Sequence, residues 1–372
     1  MRHYLDHAST SPLRPAARLA MTDWLATTSA ADAGRIHTEG HATRVALEEA
    51  REEVASFLGA RSREVVFTSG ATESIAMAVW GAAERADGAM VVPAIEHSAV
   101  RLSCEQFGTR CTVVPCDRTG RVAADAIVAA IAPDTALVHL QWGNHEVGTT
   151  QPVAEVVAAC RERNVLVHVD AAQAVGHAAV DFDGLGADLM SVSAHKMGGP
   201  PGLGALLIRR GLRLRSLLRG SDQERARRAG LENAPAIVGW GAACRELAAT
   251  ATGEVAWQHG ATERLRIELG RLDGITVFGN ATERLPHIVC LGIEGIEPQA
   301  VLLGLDQRGI AAHSGSACAS EDLLPSPVLE AMGVDAQRSL RLSVGWSSTD
   351  ADIDAVIAAV PDVISYLRRL SQ

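Results

Sequence analysis

Lysine is almost missing from this chain. Of its 34 lysine and arginine positions, one, Lys196, is lysine and the other 33 are arginine. Arginine holds its proton to a pKa of ~12 and forms no Schiff base, whereas a lysine amine shifts readily and can form one. A single lysine left by chance at the surface is the rival reading. Other scarcities exclude whole classes. The net charge of −10 argues against a broad phosphate-binding surface, so no direct nucleic-acid binding is expected. The arginine-rich stretch from Arg209 to Arg228 reads instead as a solvated face or a subunit contact. No apolar run is long enough to span a bilayer, and the opening residues carry no apolar targeting segment, which points to the cytoplasm and away from membranes. The seven cysteines are odd in number and scattered through a chain too long to need staples, which fits a reducing compartment. Cys104, Cys111 and Cys116 lack the C-x2-C spacing of a zinc or iron–sulfur site and read as packing cysteines, so no metal is expected.

What is present is organised around Lys196. It follows an apolar run from Asp188 and is flanked by Ser193 and His195. The Gly198-Gly199-Pro200-Pro201-Gly202 turn after it would let backbone pass close to a ligand. At 47% hydrophobic, 372 residues can bury a full core, expected as a large domain over 16–245 and a smaller α+β domain over 1–15 and 246–372. Residues 4–15 read as an extended strap, 26–42 as a loop that could reach over a site, and Thr43 to Leu58 as a helix. Apolar strands and helices then alternate from Glu64 to Ile208, the pattern of a mostly parallel sheet covered on both faces. Beyond Gly239 come a helical segment over 240–270, strands near 275–278, 287–291 and 340–344, and helices over 298–307, 325–331 and 350–369.

Ligands of such sheets gather beyond the carboxyl ends of the strands. Five such ends are polar: Thr68 to Thr72, His97, Gly143-Asn144-His145-Glu146, Asp170 with Gln173, and Ser193 to Lys196. Thr68-Ser69-Gly70-Ala71-Thr72 links a strand to a helix N-terminus, the arrangement that cradles phosphate, although a plain helix cap would look alike. It is not a dinucleotide fingerprint, because G-x-G-x-x-G is absent. A lysine, an aspartate at a neighbouring strand end and a phosphate cradle are what pyridoxal 5′-phosphate requires. Asp170 tips a very apolar strand, where an unpaired carboxylate would be costly, so it should face a cation such as the pyridinium or an arginine. His97 reads as a ring-stacking or proton-shuttling residue, or as an ordinary loop histidine. Cys318 lies in a loop of small residues where a thiolate can approach another group, unless it simply packs. Arg341 alternates with apolar neighbours on a strand, and its fork suits a substrate carboxylate.

Together these residues resemble the cysteine desulfurase family, class V fold-type I pyridoxal-phosphate enzymes. The resemblance covers nearly the whole chain, through Tyr4 to Pro12, Val66 to Ser74, Glu96-His97, His168 to Gln173, Ser191 to Lys196, Ser314 to Cys318 and Arg341 to Gly345. The Ser-Gly-Ser-Ala-Cys loop with the Pro-Ser-Pro-Val-Leu-Glu-Ala-Met-Gly segment after it is that of the longer-loop branch. The resemblance implies a large domain with a seven-stranded sheet and a smaller α+β domain. It makes Lys196 the lysine that holds the cofactor, Asp170 the partner of the pyridine nitrogen, His97 the ring-stacking residue and Gln173 a hydrogen-bond partner of the ring hydroxyl. Ala71, Thr72, Ser193 and His195 would hold the phosphate, Arg341 the carboxylate of L-cysteine, and Cys318 would take the sulfur as a persulfide for an acceptor protein, with alanine leaving. A homodimer with shared active sites is also implied.

The chain departs from that pattern at several points. His145 stands where the family has an asparagine touching the cofactor ring, and Asn144 beside it is the candidate substrate contact that would compensate. Asp32-Ala-Gly-Arg-Ile-His37 replaces an Asn-Pro-Ser-Ser-x-His motif, and Arg219-Gly-Ser-Asp-Gln-Glu224 replaces Gly-Gly-Gly-Gln-Glu. Leu231 takes the place of a threonine that reaches the phosphate from the other subunit. Arg225, Arg227 and Arg228 have no evident acidic partner nearby in sequence, which favours their crossing to a partner. A divergent desulfurase is the leading expectation. A related carbon–sulfur lyase or other class V enzyme on a different amino acid, or a non-catalytic scaffold, are the alternatives.

Overall fold

The computed structural model describes residues 2–27, 32–83, 88–314 and 325–370. The first part of the chain gives β1 (His3–Tyr4), α1 (Pro15–Thr27), α2 (Thr38–Phe57), β2 (Val65–Thr68), α3 (Ala71–Ala83), β3 (Ala89–Pro93), α4 (Ser98–Gln106) and β4 (Cys111–Val114). Next come α5 (Ala124–Ala129), β5 (Thr135–Gln141), α6 (Val153–Glu162), β6 (Leu166–Asp170), α7 (Phe182–Leu185), β7 (Leu189–Ser193) and β8 (Gly204–Ile208). The remainder forms α8 (Ala234–Gly270), β9 (Ile275–Phe278), β10 (Ile288–Ile293), α9 (Pro298–Asp306), β11 (Ile310–Ala311), α10 (Pro327–Ala331), β12 (Ser339–Ser343) and α11 (Asp350–Leu370).

Seven strands make one sheet in the order β2-β8-β7-β6-β5-β3-β4. All its neighbours pair parallel except β8, which runs antiparallel to β2 and β7. Every residue of β2, β5, β6, β7 and β8 is buried, as a sheet covered on both faces requires. The mostly parallel seven-stranded sheet expected from the sequence is therefore present. It brings Thr68, Gln141, Asp170 and Ser193 to one edge. At the far side β4 is an edge strand whose Cys111, Thr112 and Val113 are exposed. Cys111 is thus a surface residue and not the packing cysteine expected, because nothing among the described residues covers that edge; Cys104 is buried as expected.

A smaller antiparallel sheet, β12-β10-β9, packs with α9 and α11 around its own core, which includes Leu265, Val289, Leu291, Val301, Leu342 and Val360. The N-terminal strap docks there: β1 pairs parallel with β11, and the Ser343 N–H donates to Leu5 O at 2.8 Å. Its far end is locked by Arg14, which is buried and donates to Glu246 and Glu254 of α8 at 2.9 Å each and to Met197 O at 2.9 Å. α8 is 37 residues long and passes without a break through position 245. Sequence reading left α1 out, although Pro15 at its first position is a start signal. The loop expected over 26–42 is shortened by α1 on one side and by α2 on the other, where His37 Nδ1 accepts from the Gly40 N–H at 3.2 Å.

One buried ion pair fixes the segment ahead of α8. Glu224 accepts from both Nη atoms of Arg51 at 2.7 Å and from the Phe67 N–H at 2.9 Å, and the guanidinium lies 4.5 Å over the Phe67 ring. Three consecutive residues, Glu224, Arg225 and Ala226, have left-handed φ values of 48, 57 and 61°. For non-glycine residues that conformation is unfavourable and persists only where contacts hold it. Replacing Glu224 by glutamine leaves a buried guanidinium poorly compensated. Glu224→Gln is expected to lower the unfolding free energy by about 3–5 kcal/mol in urea titrations. A loss under about 1 kcal/mol would show that Arg51 is neutralised by Glu48 or by water instead.

Candidate active site

A cavity of about 440 Å³ opens at the carboxyl ends of the large sheet. Its wall includes Ala71, Thr72, His97, His145, Asp170, Gln173, Ser193, His195, Lys196 and Arg341. The convergence read from the sequence is thus met for all of these. Asn144 is the exception. It is fully buried, its Nδ2 donates to Ile95 O at 3.3 Å, and its Oδ1 accepts from the Glu146 and Val147 N–H groups at 2.8 and 2.9 Å. Its amide shapes the turn after β5 and is not in the cavity wall, so the expected substrate contact is not supported. Cys318 lies outside the described residues.

Lys196 sits in a short 3₁₀ turn after β7, and its Nζ donates to Ala8 O and, at 2.7 Å, to Ser9 O of the strap. Asp170 ends β6. One of its carboxylate oxygens accepts from the Ala172 N–H at 3.0 Å, and burial raises its pKa above the ordinary carboxylate value. A cation in the cavity would offset that desolvation and keep it ionised. His97 caps α4: Nδ1 accepts from the Ala99 N–H at 3.1 Å, so the neutral ring carries its proton on Nε2. Burial lowers its pKa, and its ring meets that of His145 edge-on at 5.0 Å. His195 is also neutral, its pKa brought down to about 4 by burial and by Lys196. Its Nδ1 pairs with Thr10 Oγ1 at 3.1 Å.

The turn from β2 into α3 presents the first-turn N–H groups of a helix, which have no intrahelical acceptor. It sits directly on β8. A Cβ at Gly204 would stand 2.7 Å from the Gly70 Cα, so only glycine allows this approach. Arg341 is buried. Its Nη1 donates to His145 O at 2.8 Å, its Nη2 to Asp6 Oδ1 at 3.0 Å and Ser9 Oγ at 2.9 Å, and its Nε has no partner. Asp6 and Ser9 escaped notice as site residues because they lie more than three hundred positions from the arginine they orient.

A family model described as aminotransferase class-V matches residues 3–356. A cysteine desulfurase of Gluconacetobacter diazotrophicus is 40% identical over 99% of this chain and 94% of its own length. The cysteine desulfurase IscS of Methanosarcina thermophila is 38% identical over 99% and 93%. The chain belongs to the class-V aminotransferase family, in its cysteine desulfurase branch. Among solved structures, a NifS-like protein superposes with a TM-score of 0.91 at 30% identity, covering 99% of this chain and all of that one. SspA in complex with cysteine superposes at 0.79 and 28% identity, covering 93% of this chain and all of that one.

The architecture is the fold-type I arrangement, and the cofactor of this class-V protein is pyridoxal 5′-phosphate. The cavity suits it. First-turn amides at Ala71 and Thr72 would face its phosphate, Asp170 would offer a carboxylate to the pyridinium, and Lys196 would offer the amine. Two of the arginines after Glu224, read from the sequence as lacking an acidic partner nearby, find one within the chain. Arg225 pairs with Glu48 at 3.1 Å, and Arg228 with Glu73 at 2.8 Å. Both acids are more than 150 positions away in sequence, so local inspection misses them. Burial works against ionised Glu73, but Arg228 and the Ser69 N–H hold its carboxyl below the ordinary range beside the phosphate cradle. Among the described residues no three metal-ligating side chains come together, and no helix is long and apolar enough to cross a membrane.

Glu96, next to His97, was legible only as part of a motif. One oxygen accepts from the Gln141 N–H at 2.7 Å and the other is buried without a partner. Burial raises its pKa from 4.5 to about 8. Between those values the unfolded chain binds fewer protons than the folded one, so this group lowers stability as pH rises from 4.5 to 8. In cofactor-free protein, the stability of Glu96→Gln relative to the unsubstituted chain should therefore grow across that window. The slope is at most about 1.4 kcal/mol per pH unit. A difference independent of pH would show that Glu96 stays ionised.

Proposed function

We propose that the chain is a cysteine desulfurase that takes sulfur from L-cysteine, releases L-alanine and loads Cys318 with a persulfide for an acceptor protein. The observation that carries this reading is the meeting of its only lysine with Asp170, His97 and Arg341 in one cavity. Bound pyridoxal 5′-phosphate supplies an electron sink for the bond changes at the substrate Cα and Cβ. The protein's own groups do the rest. Arg341, in the cavity wall, would bind the substrate carboxylate with its guanidinium, while Asp6 and Ser9 hold its Nη2. The Asp170 carboxylate would hold a proton on the pyridine nitrogen, and burial would make that pairing strong. His97, neutral and fixed through Nδ1, would offer the cofactor an uncharged ring. Lys196, stationed beside the strap carbonyls, would supply the amine that holds the cofactor and would move the Cα proton.

Absorbance near about 420 nm in purified protein, lost in Lys196→Ala, is the expected sign of the bound cofactor. Cys318→Ala should keep that absorbance and still take up cysteine, yet form little alanine and no protein-bound persulfide. Full cysteine turnover in Cys318→Ala would favour a carbon–sulfur lyase, and a protein that stays colourless with added cofactor would favour a scaffold.

The homodimer belongs to the same reading. Leu231 is 64% exposed and Ile36 is 99% exposed, apolar side chains that a second subunit would cover. In the proposed dimer the segment ahead of α8 reaches the partner's phosphate site, where Leu231 offers no hydroxyl. Leu231→Thr should tighten cofactor binding by roughly one decade, the value of a hydrogen bond to a charged group. Unchanged affinity in an intact dimer would place the whole phosphate site within one chain.

A further inference from the structure

Behind the cavity wall lies a buried pair of histidines that the reaction does not use. His287 stands just before β10, and His177 follows β6; both are buried, and their rings stack at 3.6 Å and 15°. His287 Nε2 is 3.2 Å from Gln173 Oε1, and Gln173 Nε2 donates to Ala8 O at 2.7 Å. Ala8 O also accepts from Lys196. The far side of the pair is closed by Gln258 of α8, 2.9 Å from His177 Nδ1.

The hydrogens of this chain are fixed by its acceptors. Ala8 O can only accept, so the Gln173 atom facing it must be the NH2 group, and the Gln173 oxygen must face His287. That oxygen can also only accept, so His287 carries its proton on Nε2. Its Nδ1 has no partner. Burial, together with the charges of Lys196 and Arg341 and the neighbouring His177 and His7, holds His287 neutral. The neutral ring therefore has one N–H, and Gln173 receives it. With one amide hydrogen on Ala8 O, Gln173, a residue of the cavity wall, keeps a second N–H to offer.

We propose that His287 is a positioning residue: it locks the Gln173 amide so that its N–H, and not its oxygen, faces the ring hydroxyl of the cofactor. The inference rests on the pyridoxal-phosphate reading above and on the contact of Gln173 with the ring hydroxyl that the family resemblance implies. Ala8 O sets the flip, since the reversed amide would turn an acceptor toward an acceptor, and the His287 N–H adds the second bond that holds the amide in it.

Selective ¹⁵N-histidine labelling of cofactor-free protein reads the tautomer directly. The Nε2–H form at His287 is expected, and the Nδ1–H form would overturn the proposal whatever the cofactor does. In loaded protein, Gln173→Leu and His287→Phe should each weaken cofactor binding about three- to tenfold, the worth of one neutral hydrogen bond. Each should shift the pH midpoint of the cofactor absorbance in the same direction. The double variant should lose no more than either single one, and His287→Asn, which keeps an N–H donor, should recover part of the shift. A ring acting only through packing would change thermal stability in His287→Phe while leaving affinity and midpoint as in the unsubstituted protein, and that result would overturn the role. Failure of the functional reading shows differently: the unsubstituted protein would then take up no cofactor at all.

Discussion

A half-buried lysine amine needs oxygen partners, and that requirement shapes the centre of this protein. The oxygens are main-chain carbonyls of Ala8 and Ser9, supplied by a strap that belongs spatially to the smaller sheet. The same strap supplies Asp6 and Ser9 to Arg341 and the Ala8 carbonyl to Gln173. Three groups at the wall of the cavity thus depend on one extended segment being in register. That register is set by the short β1–β11 pairing at one end and by the buried Arg14 at the other. The active centre is in this sense an interface between two cores, and it is complete only when both have formed.

The strand-end residues were readable because a buried parallel strand leaves little choice. Its interior is mostly apolar, with His168 and Ser191 satisfying each other inside, so the polar residue at its carboxyl end marks where it emerges, as at Asp170 and Ser193. What could not be read is whatever depends on pairs distant in sequence. Nothing local tells that Glu73 awaits Arg228 or that Glu48 awaits Arg225. Asn144 misled for a related reason. A polar residue after a strand end is equally suited to holding a tight turn, and here its amide is consumed by Ile95, Glu146 and Val147. Cys111 looked like its buried neighbours because composition does not reveal which strand lies at an edge. Cys318 and its loop rest on the sequence alone.

Charge inside the protein is handled by a division of labour. Arginine provides the permanent charges: Arg14, Arg51, Arg284 and Arg341 are all buried, and each is paired with at least one carboxylate. Histidine provides polar groups that burial keeps uncharged, as at His168, which joins His139 and Ser191 on the sheet interior at 2.9 and 2.7 Å. Among the described residues, burial raises the pKa of the Asp170, Glu96 and Glu232 carboxyls, and the first two adjoin the cavity elements. Perturbed acids gather where a ligand or a proton can relieve them.

The replacement of lysine by arginine everywhere but one position has a consequence beyond catalysis. Acetylation, methylation and ubiquitination are addressed to lysine amines, and so are most reagents used to tag or cross-link proteins. The surface of this chain offers them no side chain to act on. Its one lysine amine is turned inward and held by two carbonyl oxygens, so the protein is nearly invisible to lysine-directed marking, and any such mark that did attach would fall on the amine it works with.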